Sequence, residues 1–338
     1  MKIGLVNRDA FFDSNRAFKL GIVPDGIADS WHYLKNDLKA LGHAFNTVET
    51  LDMAINCDIL IFNEYPKKNS GKSKFLKIKN KKYLFLAESS LVIPENYLLS
   101  NFDDFIKIFT WSDDLISLGG KFIKCNFSVP IKYLFNSNVE IINNPRERDL
   151  CMVAANKLIN RPGELYSYRR EIIKYFDNND DLTFDLYGGG WNKFKTSSHS
   201  IYGKVLNRLL KDVNMKPPNT WRGRIDSKLD AYYNSNFSFA IENAYKLPGY
   251  ITEKIIHSLI GLSKPLYLGD ESIGNYIPSE FYHNIKGMEL EEISDLIKSS
   301  SNDELIRFRK SLRDFIMDNG LKDFDNETFT KIICQEIL

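Results

Sequence analysis

Short apolar segments alternate with amphipathic ones along the first half of the chain. The segments KIGLV, DILIF, YLFLA and FIKIFT are almost wholly apolar, which predicts buried strands. Between the first two, residues 30–42 (SWHYLKNDLKALG) repeat large apolar residues at helical spacing before a terminating glycine: Trp31, Leu34, Leu38 and Leu41. Strands that alternate with helices predict a parallel, doubly wound sheet.

The same pattern restarts after a polar break at residues 143–149 (NNPRERD). LCMVAA, LTFDLYG, FSFAIEN and KPLYLG are the predicted strands of this half, and helices are predicted over 163–176, 302–320 and 325–338. We therefore expect two α/β domains with a ligand cleft between them. In open α/β sheets, ligands bind beyond the carboxyl ends of the strands.

Composition narrows the class of protein. A chain of 338 residues with 43% hydrophobic residues is long enough for two domains with separate cores. Its 45 basic and 44 acidic side chains leave a net charge of +1, so nothing in the overall charge favours nucleic acid. Four scattered cysteines without a CxxC pair indicate reduced thiols in a cytoplasmic protein.

No stretch approaches the ~20 apolar residues of a membrane-spanning helix. The lysine-rich residues 67–83 are best explained as a solvated basic face or loop. They leave open a weak association with the inner face of a membrane.

The segment around the FSFAIEN strand contains an unusual lysine. Apolar spacing predicts a helix that starts at Thr252, which puts Glu253 and Lys254 in its first turn. The helix dipole favours the glutamate there and disfavours the lysine. An anion held between the free N–H groups and Lys254, close to Glu242 and Asn243 at the strand end, would explain the lysine. The alternative is a lysine that extends into water.

Two other segments contain candidates for chemistry. Glu88 directly follows the strand YLFLA, where a general base would be useful, although a helix cap or a solvent-facing carboxylate is the simpler explanation. Arg169 and Arg170 lie on a predicted amphipathic helix, with one of them expected near the buried side. Arginine suits a bidentate contact with phosphate, and a structural salt bridge is the ordinary alternative.

Known sequence motifs for phosphate binding and metal binding are not clearly present. The stretch YGGGW lacks the GxGxxG spacing, and no P-loop sequence occurs. The acid pairs Asp113–Asp114 and Asp180–Asp181 are interpreted as loop or helix-end charges. No bound metal or other cofactor is therefore expected, and no histidine is assigned a catalytic role.

Residues 237–278 resemble the signature of the α-1,3/1,4-fucosyltransferase family. That signature consists of a strand, FEN, a short gap, Y-[VI]-T-E-K, a helix, a P-[VIL]-Y-x-G strand and a late proline. The matching residues are Phe239, Glu242, Asn243, Tyr250, Thr252, Glu253, Lys254, Pro265, Tyr267, Gly269 and Pro278. Weaker similarities cover LAESSLVIPENY and the segment that runs from VAANKL to Phe176.

The resemblance implies a GT-B fold, in which two Rossmann-like domains face each other across a cleft. Residues 1–148 would bind the acceptor and residues 149–320 the nucleotide sugar, and a last helix at 321–338 could pack back on the first domain. It further implies inverting transfer of L-fucose from GDP-fucose to a glycan hydroxyl, without an obligatory metal. A bacterial surface glycan or lipopolysaccharide is the expected acceptor.

The resemblance also implies roles for individual residues. Glu88 would be the general base, and Arg169 and Lys254 would hold the pyrophosphate. Glu253 would contact the ribose or the fucosyl group. The remaining donor-site residues would be Glu242, Asn243, Tyr250 and Thr252.

Some features depart from the family pattern. Ile241 stands where the family usually has phenylalanine, and residues 197–224 form a long insert. An enzyme of this fold that uses another nucleotide sugar therefore stays open. So does a non-catalytic module that binds a glycan or a nucleotide.

Overall fold

Two parallel sheets organise the chain in the computed structural model, which describes residues 1–194, 196, 201–210 and 213–338. Residues 197–200 and 211–212 of the predicted insert therefore lie outside the described residues. The strands are β1 (Lys2–Asn7), β2 (Ala44–Thr47), β3 (Ile59–Asn63), β4 (Lys81–Leu86), β5 (Lys107–Thr110), β6 (Phe122–Lys124), β7 (Arg148–Val153), β8 (Phe184–Tyr187), β9 (Ser235–Ile241), β10 (Lys264–Leu268) and β11 (His283–Asn284).

Helices connect these strands, as expected where neighbouring strands are parallel. They are α1 (Ser30–Ala40), α2 (Leu51–Ile55), α3 (Asp113–Ser117), α4 (Ile131–Leu134), α5 (Val139–Asn143), α6 (Tyr166–Asp177), α7 (Ile201–Leu209), α8 (Lys228–Tyr233), α9 (Glu253–Ile260), α10 (Leu290–Ser299), α11 (Asn302–Met317) and α12 (Asn326–Ile337). Short 3₁₀ helices, such as Pro94–Tyr97, lie in several of the loops.

The first sheet has the strand order β2-β1-β3-β4-β5-β6, and the second has the order β11-β10-β9-β7-β8. Every paired strand in both sheets runs parallel to its neighbour. The prediction of α/β architecture with doubly wound parallel sheets is confirmed.

The chain divides into two units that are not continuous in sequence. Unit 1 consists of residues 1–134, 248–253 and 322–338, and unit 2 consists of residues 135–247 and 254–321. Each unit contains one of the sheets. The start of α9 coincides with a division, because Glu253 belongs to unit 1 and Lys254 to unit 2.

In unit 1, apolar side chains cover both faces of the sheet. Trp31, Leu34 and Leu38 of α1 are buried against one face, as their spacing predicted. The same prediction was wrong for Leu41, which is 57% exposed. Helix α1 ends at Ala40, so Leu41 lies past the last turn and leaves the apolar face.

The helix α12 packs in unit 1 as well. The Phe329 ring lies edge-on to Trp31 at 5.5 Å and to Phe85 at 5.4 Å, measured between ring centroids. Ile333 and Ile337 are buried in the same apolar cluster. A segment from the end of the chain thus completes a core that residues near its beginning form.

The core of unit 2 lies between its sheet and the helices α6 and α10. Ile172, Ile173 and Phe176 form the buried face of α6. The Phe176 ring lies 5.8 Å from Phe184 and 5.4 Å from Phe239, measured between ring centroids. This packing fixes α6 against β8 and β9 and so determines where the polar residues of α6 lie.

Within the described ranges, no helix has both the length and the apolar character needed to cross a membrane.

Candidate functional site

The carboxyl end of β9 in unit 2 brings together an acid and the first-turn lysine. Glu242 follows β9 and is fully buried, and its N–H donates to the Leu268 carbonyl at 2.8 Å. The Lys254 Nζ lies 3.3 Å from the Glu242 Oε2, and the lysine side chain is 21% exposed. Lys254 therefore reaches a buried carboxylate and does not extend into water, and part of its side chain stays accessible.

Arg169 approaches the same strand end from α6. Its side chain is buried, and Nη2 donates to the Ile241 carbonyl and, at 3.0 Å, to the Asn243 Oδ1. The Tyr166 ring lies 5.0 Å from the Arg169 Cζ, a cation–π distance. Arg170 points elsewhere and donates to the Asn156 Oδ1. The structure therefore gathers Arg169, Asn243, Glu242 and Lys254 around the end of β9.

The neighbouring strand β10 restricts the space at this edge. The Tyr267 hydroxyl accepts from the Asp270 N–H at 3.1 Å. Burial and the negative charge of Glu242 raise the pKa of Tyr267 well above its usual value, so its hydroxyl stays neutral. A Cβ atom on Gly269 would come within 2.3 Å of that hydroxyl and 2.7 Å of the Glu242 Cγ. Only glycine fits at this position.

The three other predicted donor-site residues belong to unit 1. Tyr250 is buried, with its ring centroid 4.6 Å from that of Trp111 and 5.8 Å from that of Phe127. Thr252 is also buried and immediately precedes α9, and Glu253 is the first residue of that helix. These three residues adjoin Lys254 along the chain, but Tyr250 packs among aromatic rings of unit 1.

Two glutamates occupy the carboxyl edge of the unit 1 sheet. Glu88 lies past the end of β4 and is half-buried, as its position after YLFLA predicted. Glu64 follows β3 and is only 7% exposed, and its Oε1 accepts from the Glu88 N–H at 2.8 Å. Burial, together with the negative charge of Glu88, raises the pKa of Glu64 to about 8, although the hydrogen bonds that its carboxylate accepts act in the opposite direction.

Glu64 and the side chains around Glu88 were not predicted from the sequence. The signal was present, because Glu64 follows the apolar strand DILIF after a single asparagine, much as Glu88 follows YLFLA. Carboxyl ends of adjacent parallel strands meet at one edge of a sheet, so the two glutamates could have been paired. Asn96, Tyr97 and Trp111 also contact this segment, but they come from loops whose course the pattern does not predict.

Among the described residues, no group of three or more acidic, histidine or cysteine side chains is arranged to hold a metal ion. Both acid pairs noted in the sequence have lysine partners. Asp113 lies in the first turn of α3, 2.6 Å from the Lys124 Nζ, and Asp181 lies 2.6 Å from the Lys298 Nζ.

Comparison with solved structures identifies the fold. An α-glucosyltransferase in complex with UDP-glucose and DNA containing an abasic site matches with a TM-score of 0.61 at 14% identity, covering 100% of this chain and 99% of that one. Sucrose-phosphate synthase from Thermosynechococcus elongatus matches with a TM-score of 0.60 at 11% identity, with 99% and 98% coverage. An α1,3-fucosyltransferase matches with a TM-score of 0.55 at 11% identity, with 91% and 81% coverage.

The protein therefore has the GT-B fold of glycosyltransferases, as predicted. No family model matches the chain, and no curated protein matches its sequence.

Proposed function

We propose that the protein is a glycosyltransferase that takes a sugar from a nucleotide donor bound at the carboxyl end of β9. The observation that carries this proposal is the pair of cations there, Arg169 and Lys254, on two different helices of unit 2. Glycosyltransferases of the same fold supply the class of reaction.

The geometry suits a diphosphate leaving group. Lys254 lies in the first turn of α9, where backbone N–H groups already favour an anion. Glu242 holds the lysine in place, and Asn243 and the end of β9 hold Arg169. Cations fixed in this way stabilise the negative charge that grows on the diphosphate as the bond between the sugar and the diphosphate breaks.

Glu88 is proposed as the general base that removes the proton of the acceptor hydroxyl. The reaction would be inverting, and the donor would be GDP-fucose. The acceptor would be a hydroxyl of a bacterial surface glycan or lipopolysaccharide, at the cytoplasmic side of the membrane. The similarity of residues 237–278 to the fucosyltransferase signature supports this choice of donor. Transfer would need no metal, so it should survive EDTA.

A second donor deserves a direct test. The α-glucosyltransferase structure in complex with UDP-glucose matches over the full length of this chain, whereas the fucosyltransferase match covers 91% of it. Transfer of glucose from UDP-glucose is therefore the alternative to transfer of fucose from GDP-fucose.

The experiment is a thermal-shift panel of GDP, GDP-fucose, UDP and UDP-glucose, followed by transfer assays with the donor that binds. A ligand that binds only the folded state, at ~100 times its dissociation constant, adds roughly 2.7 kcal/mol of stability. We expect the guanine nucleotides to stabilise the protein most. A larger shift with UDP and UDP-glucose would replace GDP-fucose by the alternative donor, and no shift with any of them would contradict the proposal.

The phosphate contact is tested with Lys254→Ala and with Lys246→Ala, an exposed lysine in the preceding loop, as the matched control. Loss of a hydrogen bond to a charged group costs about 1.5–3 kcal/mol, so Lys254→Ala should weaken GDP binding by about 10- to 150-fold. Guanosine, which has no phosphate, should bind nearly as before. The GDP-to-guanosine ratio is the measured quantity, because it is insensitive to any loss of folded protein when the pair with Glu242 is broken. Equal losses for both ligands would refute the phosphate assignment.

A further inference from the structure

Glu64 occupies an unusual backbone conformation at the edge of the unit 1 sheet. Its φ of +71° lies in the left-handed region, which non-glycine residues seldom adopt. Its N–H still donates to the Phe85 carbonyl at 2.9 Å, so the chain turns only after β3 has finished pairing with β4. Residues held in such conformations concentrate at functional sites, where surrounding contacts offset the strain.

The carboxyl group of Glu64 binds the segment that carries Glu88. Its Oε1 accepts from the Ala87 N–H at 3.0 Å and from the Glu88 N–H at 2.8 Å. Its Oε2 accepts from the Asn96 Nδ2. One buried side chain thus satisfies two consecutive backbone donors past the end of β4.

The carbonyl groups of the same segment are also bound. The Glu88 carbonyl accepts from the Tyr97 hydroxyl at 3.2 Å and from the Asn96 Nδ2 at 3.4 Å. The Ala87 carbonyl accepts from the Trp111 Nε1 at 2.8 Å. The peptide groups before and after Glu88 are therefore both held by hydrogen bonds. Among the side chains named here, Glu64 is the one that accepts from the Glu88 N–H.

We propose that Glu64 is a positioning residue for Glu88, in that its buried carboxyl group fixes the backbone from which the Glu88 side chain extends. This inference rests on the proposed function, in which Glu88 is the base. A misplacement of a reacting group by about 1 Å can cost about 10²-fold in rate, so fixing this backbone would affect turnover directly.

Glu64 does not itself suit the role of base. It is 7% exposed, whereas Glu88 is half-buried and so has part of its side chain accessible. With a pKa raised to about 8, Glu64 also keeps its proton at pH 7. A neutral carboxyl group retains its carbonyl oxygen as an acceptor for both N–H groups. The amide oxygen of a glutamine offers the same acceptor, but its Nε2 would face the Asn96 Nδ2, which donates to the Glu64 Oε2 in the wild type.

The test compares Glu64→Ala, Glu64→Gln and Glu88→Gln at pH 7. Glu64→Ala removes the acceptor and should lower kcat about 10²-fold while leaving the donor KM within a few-fold. Glu64→Gln keeps the acceptor for the two N–H groups and loses the one for the Asn96 Nδ2, so its kcat should lie between those of Glu64→Ala and the wild type. Glu88→Gln should lower kcat by about 10²- to 10⁴-fold, as loss of a general base does. Rates are normalised to folded protein, measured by near-ultraviolet circular dichroism.

Amide hydrogen exchange of a peptide spanning Ala87 and Glu88 gives a readout that does not depend on activity. We expect faster exchange in Glu64→Ala than in the wild type, and slower exchange in Glu64→Gln than in Glu64→Ala. Unchanged exchange in Glu64→Ala, or a kcat in Glu64→Gln as low as in Glu64→Ala, would overturn the positioning role. If faster exchange in Glu64→Ala accompanies full turnover of Glu88→Gln, the failure lies with Glu88 as the base, and Glu64 then positions no catalytic group.

Discussion

The pKa of Glu64 links the stability of the protein to pH. In the unfolded chain this carboxyl group has its ordinary pKa near ~4.3, whereas in the folded protein its pKa is raised to about 8. Between these values the folded state holds a proton that the unfolded state has released. The contribution of Glu64 is therefore fully favourable below the lower pKa and is lost as pH rises to about 8, with a slope of at most ~1.4 kcal/mol per pH unit.

This dependence is measured by urea unfolding of the wild type and of Glu64→Gln between pH 5 and pH 9. As pH rises, the wild type should lose free energy of unfolding relative to Glu64→Gln up to about pH 8. Above that pH the difference between the two proteins should stay constant. The Tyr97 hydroxyl, which also faces Glu64, stays neutral across this pH range, because burial and the negative charges of Glu64 and Glu88 raise its pKa. A constant difference across the range would show that Glu64 is already ionised at pH 5.

At the residue scale, sequence predicted positions better than contacts. The strand-end placement of Glu88, Glu242 and Asn243 follows from apolar runs that stop at polar residues. The partner of Lys254 did not follow, because pairing with Glu242 depends on how α9 meets the end of β9. One of the two adjacent arginines, Arg169 or Arg170, was predicted to lie near the buried side of its helix. Helix periodicity alone did not identify Arg169 as the buried one.

Among the elements, the connection from α5 to β7 and the helix α11 contribute a pair of arginines, Arg146 and Arg309, whose guanidinium groups are largely buried. The Arg146 Nε, Nη1 and Nη2 and the Arg309 Nε and Nη2 are buried without a hydrogen-bond partner among the described residues. Burial and the positive charge of Arg309 lower the pKa of Arg146 to about 10. Two buried like charges cost free energy that hydrogen bonds do not offset here.

Replacing one of these charges should stabilise unit 2. Arg146→Met removes the repulsion and the desolvation while keeping an apolar side chain of similar length, and we expect the free energy of unfolding to rise by about 1–3 kcal/mol. The matched control is Arg148→Met, because the Arg148 Nε lies 2.9 Å from the Asp185 Oδ2. That change should lower stability. A loss in Arg146→Met as large as in the control would mean that Arg146 makes a favourable interaction.

Element prediction succeeded where apolar runs were long and failed where elements were short or polar. The strands β2, β6 and β11 were missed; β11 has only two residues, and β6 has no fully buried one. Helix α10 was not predicted because four of its ten residues are charged, and its start is marked by a capping box at Glu289 and Glu292 rather than by apolar spacing. The missed strands β2, β6 and β11 lie at the edges of their sheets. Such strands are defined mainly by their neighbours, so their own sequences carry little pattern.

For the molecule as a whole, the stability of unit 1 should depend on the last residues of the chain. Phe329 of α12 is 3% exposed and contacts Trp31 and Phe85, so Phe329→Ala should cost about 3–5 kcal/mol in free energy of unfolding. Lys331→Ala, an exposed change in the same helix, should stay within about 0.5 kcal/mol of the wild type. Urea unfolding measures both, and equal effects would show that α12 adds nothing to the core of unit 1.

During synthesis, the first segment of unit 1, residues 1–134, is made long before its last segment, residues 322–338. Roughly 190 residues follow Leu134 before Lys322 appears, which at about 5–20 residues per second takes about 10–40 s. For that time the aromatic surface formed by Trp31 and Phe85 lacks Phe329, Ile333 and Ile337 as its cover. The nascent chain should therefore expose this apolar surface to chaperones until residues 322–338 have been synthesised.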